Sequence, residues 1–219
     1  MLSIKRRYAM DKSVYSVMMS DRLVGMLDRE AYRNGVSRSV MLDRILANYF
    51  SVETDEMRVG NIFDIMERSI GGYDGLKFIN RASGYMAAVR SALDYKYNPT
   101  VNYSVELFPA GDLGQLKISL RSRSDALISL MENFYGFFMK LEKKYVGERV
   151  YAYDGARFTR VFLRPSGATS EQLGAAIAEY VSDFDEYLGT YVSEIGNAEV
   201  YRDIEREYAK NTMKKEVIL

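Results

Sequence analysis

The side chains that could do chemistry are few, and most lie in two short segments. In SDFDEY, the carboxylates of Asp183, Asp185 and Glu186 are close enough in sequence to offer oxygen ligands to a hard cation. The same spacing is more typical of a helix face that points its charges into solvent, so we expect no metal site there. The segment RSRSD, residues 121 to 125, could bind a phosphate at a helix N-terminus, although capping that helix is the simpler role for Ser124.

The chain has no cysteine and no histidine. These two absences exclude disulfides, thiolate nucleophiles, zinc sites built from Cys and His, and a Ser-His-Asp triad. We therefore expect no cofactor, no metal centre and no enzymatic activity. The lack of cysteine, and the lack of any apolar run of about eighteen residues, predicts a cytoplasmic protein that does not enter a membrane.

Composition bounds the protein more loosely. The 219 residues are 47% hydrophobic, which is ample for a packed core, and 30 basic side chains balance 30 acidic ones. The charge is unevenly distributed, because residues 1 to 50 hold nine basic and five acidic side chains. Net charge alone predicts no attraction to nucleic acid, but the first fifty residues are locally basic.

The elements of this basic region can be read from short-range patterns. Residues 14 to 19 alternate in a β-branched and aromatic-rich run, which predicts a strand. Ser20 is predicted to cap a first helix that stops at Asn34-Gly35, and Ser37 to cap a second helix that runs to about residue 50. A lone strand leaves its backbone hydrogen-bonding groups unpaired, and two short helices bury little apolar surface. This unit therefore needs a second copy of itself.

The strand, the cap at Ser20-Asp21, the stop at Gly35 and the segment GVSRS, residues 35 to 39, resemble the ribbon-helix-helix family of DNA-binding repressors. The likeness, to proteins of the Arc, methionine-repressor and CopG type, covers roughly residues 12 to 50. In that family two chains pair their strands into an antiparallel ribbon that enters the major groove of DNA. The resemblance implies a homodimer that binds double-stranded DNA and regulates transcription.

Side-chain alternation assigns a face to each residue of the predicted strand. Met19 and Val24 stand at the positions of a hydrophobic staple, so Met19 should face inward, together with Tyr15 and Val17. The residues of opposite phase, which would contact bases in the groove, are Val14, Ser16 and Met18. Only the serine has a hydrogen-bonding group, so base specificity should be modest.

Phosphate contacts are expected from two places. The resemblance assigns the first set to the start of the second helix, where free backbone N–H groups, hydroxyls and the helix dipole converge on an anion. These residues are Ser37, Arg38 and Ser39. A second set lies in the basic N-terminal arm, and consists of Lys5, Arg6 and Arg7.

Other interpretations of this region stay open. The segment AYRNGVSRSVMLDRIL has the small-residue spacing of a helix-turn-helix, but that motif needs a helix immediately upstream, where residues 13 to 19 read as a strand. The unit could also be a plain dimerisation module. At the level of function, the alternative is an antitoxin or mobilisation-type interaction protein whose C-terminal domain binds a protein partner.

Beyond residue 51 the patterns predict a separate α+β domain, residues 52 to 219, that serves an effector, a partner or oligomerisation. We expect helices over about 56 to 96, of which the second is spaced by the apolar residues Ile79, Ala82, Met86, Val89 and Leu93. Two hairpins, each followed by a helix, then give a ββα-ββα order with a further C-terminal helix. If GLKFI were a strand, the order would become βαββαβ. The whole chain is thus predicted to be α+β, with a ribbon-helix-helix domain, residues 1 to 51, before antiparallel hairpins packed on helices.

Overall fold

The computed structural model describes residues 13 to 122 and 124 to 219. The predicted arm residues Lys5, Arg6 and Arg7 lie outside this part of the chain. Contacts divide the chain into two compact units, Met1–Arg58 and Val59–Leu219. The protein is α+β, as expected, and the described residues form six helices and one six-stranded antiparallel sheet. Among these residues no helix has the length and hydrophobicity to cross a bilayer.

The first unit contains the two helices that the sequence predicts. Helix α1 spans Asp21–Arg33 and helix α2 spans Arg38–Phe50. Gly35 adopts a positive φ of 63°, which a glycine does at little cost, and so lets the chain turn between the helices. The Ser37 hydroxyl accepts a hydrogen bond from the Val40 N–H at 3.3 Å, as a helix cap does. Ser20 precedes α1 in an extended conformation, but its side chain makes no capping bond.

Residues 13 to 20 pair with no strand within the described chain. Only Met19 of this segment packs inward, against a small core of Leu27, Ala31 and Met41. The predicted strand stays a prediction, because the described chain supplies no strand that pairs with it.

Helix α3, Asp55–Ile70, ends immediately before Gly71-Gly72. The prediction of a second helix in the range 56 to 96 is wrong. Its residues form two antiparallel strands, β1 over Lys77–Ser83 and β2 over Met86–Ala92. The alternate residues Ala87 and Val89 are fully buried, so the apolar positions follow a period of two and pack on one face of a sheet.

The remaining strands are β3 (Thr100–Leu107), β4 (Gly114–Leu120), β5 (Tyr151–Asp154) and β6 (Arg157–Phe162). Helix α4, Asp125–Tyr145, follows β4, and helix α5, Ser170–Ser193, follows β6. The ββα-ββα order is confirmed from β3 to α5, and helix α6, Val200–Thr212, confirms the predicted C-terminal helix. The alternative βαββαβ order is wrong, since β1 is followed by another strand.

Neighbouring strands of the sheet lie in the order β1-β2-β3-β4-β6-β5. One face carries buried apolar side chains that share a core with α3, α4, α5 and α6, whereas Ser104, Lys117 and Thr159 on the other face are partly exposed. Aromatic rings of α4 and α5 meet in this core, where Phe138 and Phe184 have ring centroids 4.7 Å apart. At Gly174 on α5, a β-carbon would lie 2.6 Å from the Ile62 carbonyl oxygen, so the glycine lets α5 approach α3 closely.

Candidate nucleic-acid interface

The start of α2 has the chemistry of an anion-binding helix terminus. Ser37, Arg38 and Ser39 are all exposed there. The backbone N–H groups of a helix's first turn have no intrahelical acceptors, and at α2 the Ser37 side chain occupies the N–H of Val40. The N–H groups of Arg38 and Ser39 therefore have no acceptor within the helix, and they lie with the exposed Ser39 in the positive field of the helix dipole.

Arg38 is held in place by an ion pair that the sequence interpretation missed. Its Nε and Nη2 donate to the two carboxylate oxygens of Asp28 on α1, at 2.6 and 2.7 Å. Hydrogen bonding and charge attraction in this pair lower the pKa of Asp28 and raise the pKa of Arg38. The pair fastens the start of α2 to α1, and it leaves other N–H groups of the guanidinium outside the bidentate contact.

The predicted groove-facing residues are exposed, but so are their neighbours of opposite phase. Val14, Ser16 and Met18 are exposed, and Tyr15 and Val17 keep 82% and 68% of their surface accessible. The single chain therefore buries neither Tyr15 and Val17 nor the residues of opposite phase, and only Met19 of this segment is partly buried. The assignment of Val14, Ser16 and Met18 to the groove stays a prediction about an assembly of two chains.

Within residues 13 to 58, the first unit exposes more large apolar side chains than it buries. The buried apolar residues of this range are Leu27, Ala31, Met41 and Ala47. Both helices place large apolar side chains outside this small core. The exposed residues of this kind are Leu23, Met26, Ile45, Leu46, Tyr49 and Phe50. We call this set, with Tyr15 and Val17, the apolar surface of the first unit. Exposed large apolar side chains in this number indicate an interaction site.

Two of the three acidic side chains near residue 185 are not on the solvated helix face that the sequence predicts, whereas Glu186 is exposed. Asp183 pairs with Lys215 at 2.6 Å, and both side chains are mostly buried. Asp185 accepts hydrogen bonds from the hydroxyls of Ser91 and Tyr103, each at 2.5 Å. Burial raises the pKa of Asp185, and these two hydrogen bonds oppose the shift. In the described ranges no group of three or more acidic side chains could hold a metal ion.

The other candidate phosphate site, near residue 124, contains a helix cap. The Ser124 hydroxyl accepts a hydrogen bond from the Leu127 N–H at 3.3 Å, at the start of α4. The capping role predicted for Ser124 is confirmed. Arg123, which stands beside it in the sequence, lies outside the described residues.

Two observations thus coincide in the first unit: the exposed N-terminus of α2, and exposed large apolar side chains on both helices and on the extended segment that precedes them. Comparison of the chain with protein-family models, with curated proteins and with solved structures finds no match. Function must therefore be inferred from these residues themselves.

Proposed function

We propose that the chain is a homodimeric, DNA-binding transcriptional regulator of the ribbon-helix-helix type. One observation carries the proposal: residues 13 to 20 have no strand partner within the described chain, and they lead directly into two helices whose apolar faces are uncovered. A second copy of the chain supplies both the missing strand partner and a cover for the apolar faces. Two antiparallel copies of residues 14 to 19 satisfy each other's backbone groups, and the helices of each subunit cover the apolar surface of the other.

In this dimer the two faces of the ribbon have different tasks. Tyr15 and Val17 point into the shared core with Met19, which already packs inward in the single chain. The opposite face enters the major groove, where the Ser16 hydroxyl can hydrogen-bond a base edge and apolar side chains can touch thymine methyl groups. Direct contacts to the bases therefore provide only modest sequence specificity. The sequence-dependent shape of the duplex contributes the rest.

The start of α2 grips the DNA backbone. Exposed hydroxyls of Ser37 and Ser39 and the free N–H groups of the first turn bind a phosphate, and the Arg38 guanidinium supplies charge from a position fixed by Asp28. Lys5, Arg6 and Arg7 extend the positive charge along the duplex. The second unit, with its own large core, binds an effector, a protein partner or another copy of itself.

The test is the dependence of DNA affinity on salt, measured by fluorescence anisotropy with a labelled duplex of mixed sequence. Log affinity should fall linearly with log salt concentration, by about 0.9 for each phosphate contact. Arg38→Gln should reduce the slope by about 1.8, since a dimer carries two such residues.

Asp28→Asn is the matched control for this experiment. It breaks the same ion pair between α1 and α2 but keeps the guanidinium, so it should leave the slope unchanged or steeper. Equal losses in the two variants would show that the ion pair matters for folding and not for DNA. A folded dimer that binds no duplex even at low salt would overturn the proposal and favour a protein-interaction role.

A further inference from the structure

The face of the sheet opposite the core has a row of basic side chains across its strands. The register places Lys77 of β1 directly opposite Arg90 of β2. It then continues through Asn102 and Ser119 to Arg157 of β6. Residues directly opposite each other share a face of the sheet, and Arg90 Nε donates to Asn102 Oδ1 at 2.8 Å. We call Lys77, Arg90 and Arg157 the cation row; at about 4.8 Å between strands it is roughly 19 Å long.

The cation row lacks acidic partners. Its three side chains are exposed, and none of them forms an ion pair within the part of the chain that the structure describes. The strands place two acidic side chains on this face. Glu106 is bonded to Lys117 at 3.0 Å, and Asp154 lies at the end of the row. Because like charges directly opposite each other destabilise a sheet, the facing of Lys77 and Arg90 costs the fold free energy that an anion would return.

The surface around the cation row is flat and polar. Small side chains line it on the central strands, and they are partly exposed: Ala88, Ser104, Ser119 and Thr159. The register aligns Ala88, Ser104 and Thr159 across the sheet, two positions along each strand from the row. No large side chain of this set rises from the sheet, so an extended polymer can lie across the strands.

An exposed aromatic ring stands at the same end of the sheet. The loop of residues 93 to 99 joins β2 to β3 close to Arg90, and in it Tyr97 keeps 88% of its surface accessible. Tyr97 and Asn98 both have positive φ, of 68° and 42°. A left-handed backbone at two successive residues other than glycine costs free energy, and such strain is common at ligand-binding sites. The loop therefore holds a ring in solvent where it is available for stacking.

We propose that the cation row and Tyr97 bind single-stranded nucleic acid. Phosphates lie along the row, where they relieve the repulsion between Lys77 and Arg90, and a base stacks on the Tyr97 ring. The unpaired positive charge selects a polyanion, and the aromatic ring selects one that carries bases. A flat face meets a rigid cylindrical duplex along one line only, whereas a flexible single strand can follow the row. This site belongs to the second unit, and the inference does not rest on the duplex binding proposed for the first.

Fluorescence anisotropy on the full chain tests the proposal, with a labelled oligodeoxythymidine as the probe. This oligonucleotide does not pair with itself, and about sixteen nucleotides are enough to cross the cation row. Its log affinity should fall with log salt concentration by about 0.7 for each phosphate contact. Arg90→Gln and Arg157→Gln should each reduce this slope by about 0.7. Tyr97→Ala should weaken binding about tenfold, whereas Tyr97→Phe keeps the ring and should bind as the native chain does.

Arg90→Gln also separates a ligand contact from a structural role. It removes one of two facing like charges, and the glutamine amide can still donate to Asn102, so the midpoint of urea unfolding should not fall. Arg206→Gln, on exposed α6, is the matched control and should change neither slope nor midpoint. Arg38→Gln should leave the oligodeoxythymidine slope unchanged, so failure of the duplex proposal and failure of this one give different results. Absence of binding at low salt, an unchanged slope in Arg90→Gln, equal affinities of Tyr97→Ala and Tyr97→Phe, or an equal loss of duplex affinity in Arg90→Gln would overturn the proposal.

Discussion

The substitution Tyr15→Ala distinguishes a paired ribbon from a free segment. In the single chain this ring keeps 82% of its surface exposed. If the segment remains free, removing the ring should change the free energy of unfolding by no more than about 0.5 kcal/mol, as is usual for surface positions. If two copies pair, the ring lies in the shared core and its removal should be costly.

The expected cost follows from the number of rings buried. Truncating a buried aromatic side chain to alanine costs about 3 to 5 kcal/mol. A dimer loses two rings, so the free energy of dimerisation should fall by roughly 6 to 10 kcal/mol. Because about 1.4 kcal/mol corresponds to a factor of ten, the dissociation constant should rise by at least about four orders of magnitude. The two interpretations therefore differ by far more than experimental error.

Met18→Ala is the matched control, since Met18 is fully exposed in the single chain and belongs to the opposite phase. It should leave the dimer intact. Sedimentation equilibrium gives the dissociation constant of each variant, and urea unfolding at several protein concentrations gives the stability. A Tyr15→Ala protein that stays dimeric while Met18→Ala dissociates would show that the strand faces the other way. Two unaffected dimers would refute the shared core altogether.

Four further outcomes are expected. Ser16→Ala should cost about 1 to 3 kcal/mol at one base position in each half-site and leave binding to other sequences nearly unchanged, as measured by competition with single-base variants of a selected duplex. Because burial raises the pKa of Asp185, the folded chain binds this proton more tightly than the unfolded chain, and the free energy of unfolding should fall as pH rises from 3.8 to the raised pKa. Urea unfolding of Asp185→Asn should lack this fall and show equal or greater stability near neutral pH. The amide oxygen of the variant should still accept from the Ser91 and Tyr103 hydroxyls. Gly174→Ala should destabilise the protein by about 1 to 3 kcal/mol, because its β-carbon meets the Ile62 carbonyl. Gly189→Ala in the same helix meets nothing within 4 Å, so calorimetric melting should show a gain of about 0.5 to 1 kcal/mol, and a loss there would contradict the packing argument.

Local signals predicted those elements whose ends carry specific residues. Helices α1 and α2 begin at serines and are separated by a glycine with positive φ, and the hairpins before α4 and α5 turn at glycine-containing loops. The apolar residues from Ile79 to Leu93 predict a helix, because they recur every three or four positions. Ala87 and Val89 also fit a period of two, and the neighbouring strand β3 decides between the two patterns.

Contacts between residues far apart in sequence explain what the site analysis missed. Asp185 of α5 accepts a hydrogen bond from Ser91 of β2, which lies 94 positions earlier in the chain. A strand of the sheet therefore helps to bury a carboxylate that the sequence predicts to be solvated. The Arg38 and Asp28 pair spans ten positions across the turn between two helices. No local sequence pattern identifies the two members of either pair as partners, because only the tertiary fold brings them together.

The strand order has a consequence for synthesis on the ribosome. The first four strands pair in chain order, whereas β4 must wait for β6, which follows α4 and β5. At about 5 to 20 residues per second, translation from the end of β4 to the end of β6 takes roughly two to eight seconds, and during that time β4 is an open edge of a nascent sheet. Lys117 stands in the middle of this strand, paired with Glu106 of β3. A charge on an edge strand hinders pairing with other chains, so we expect Lys117 to protect this edge while the protein is being made.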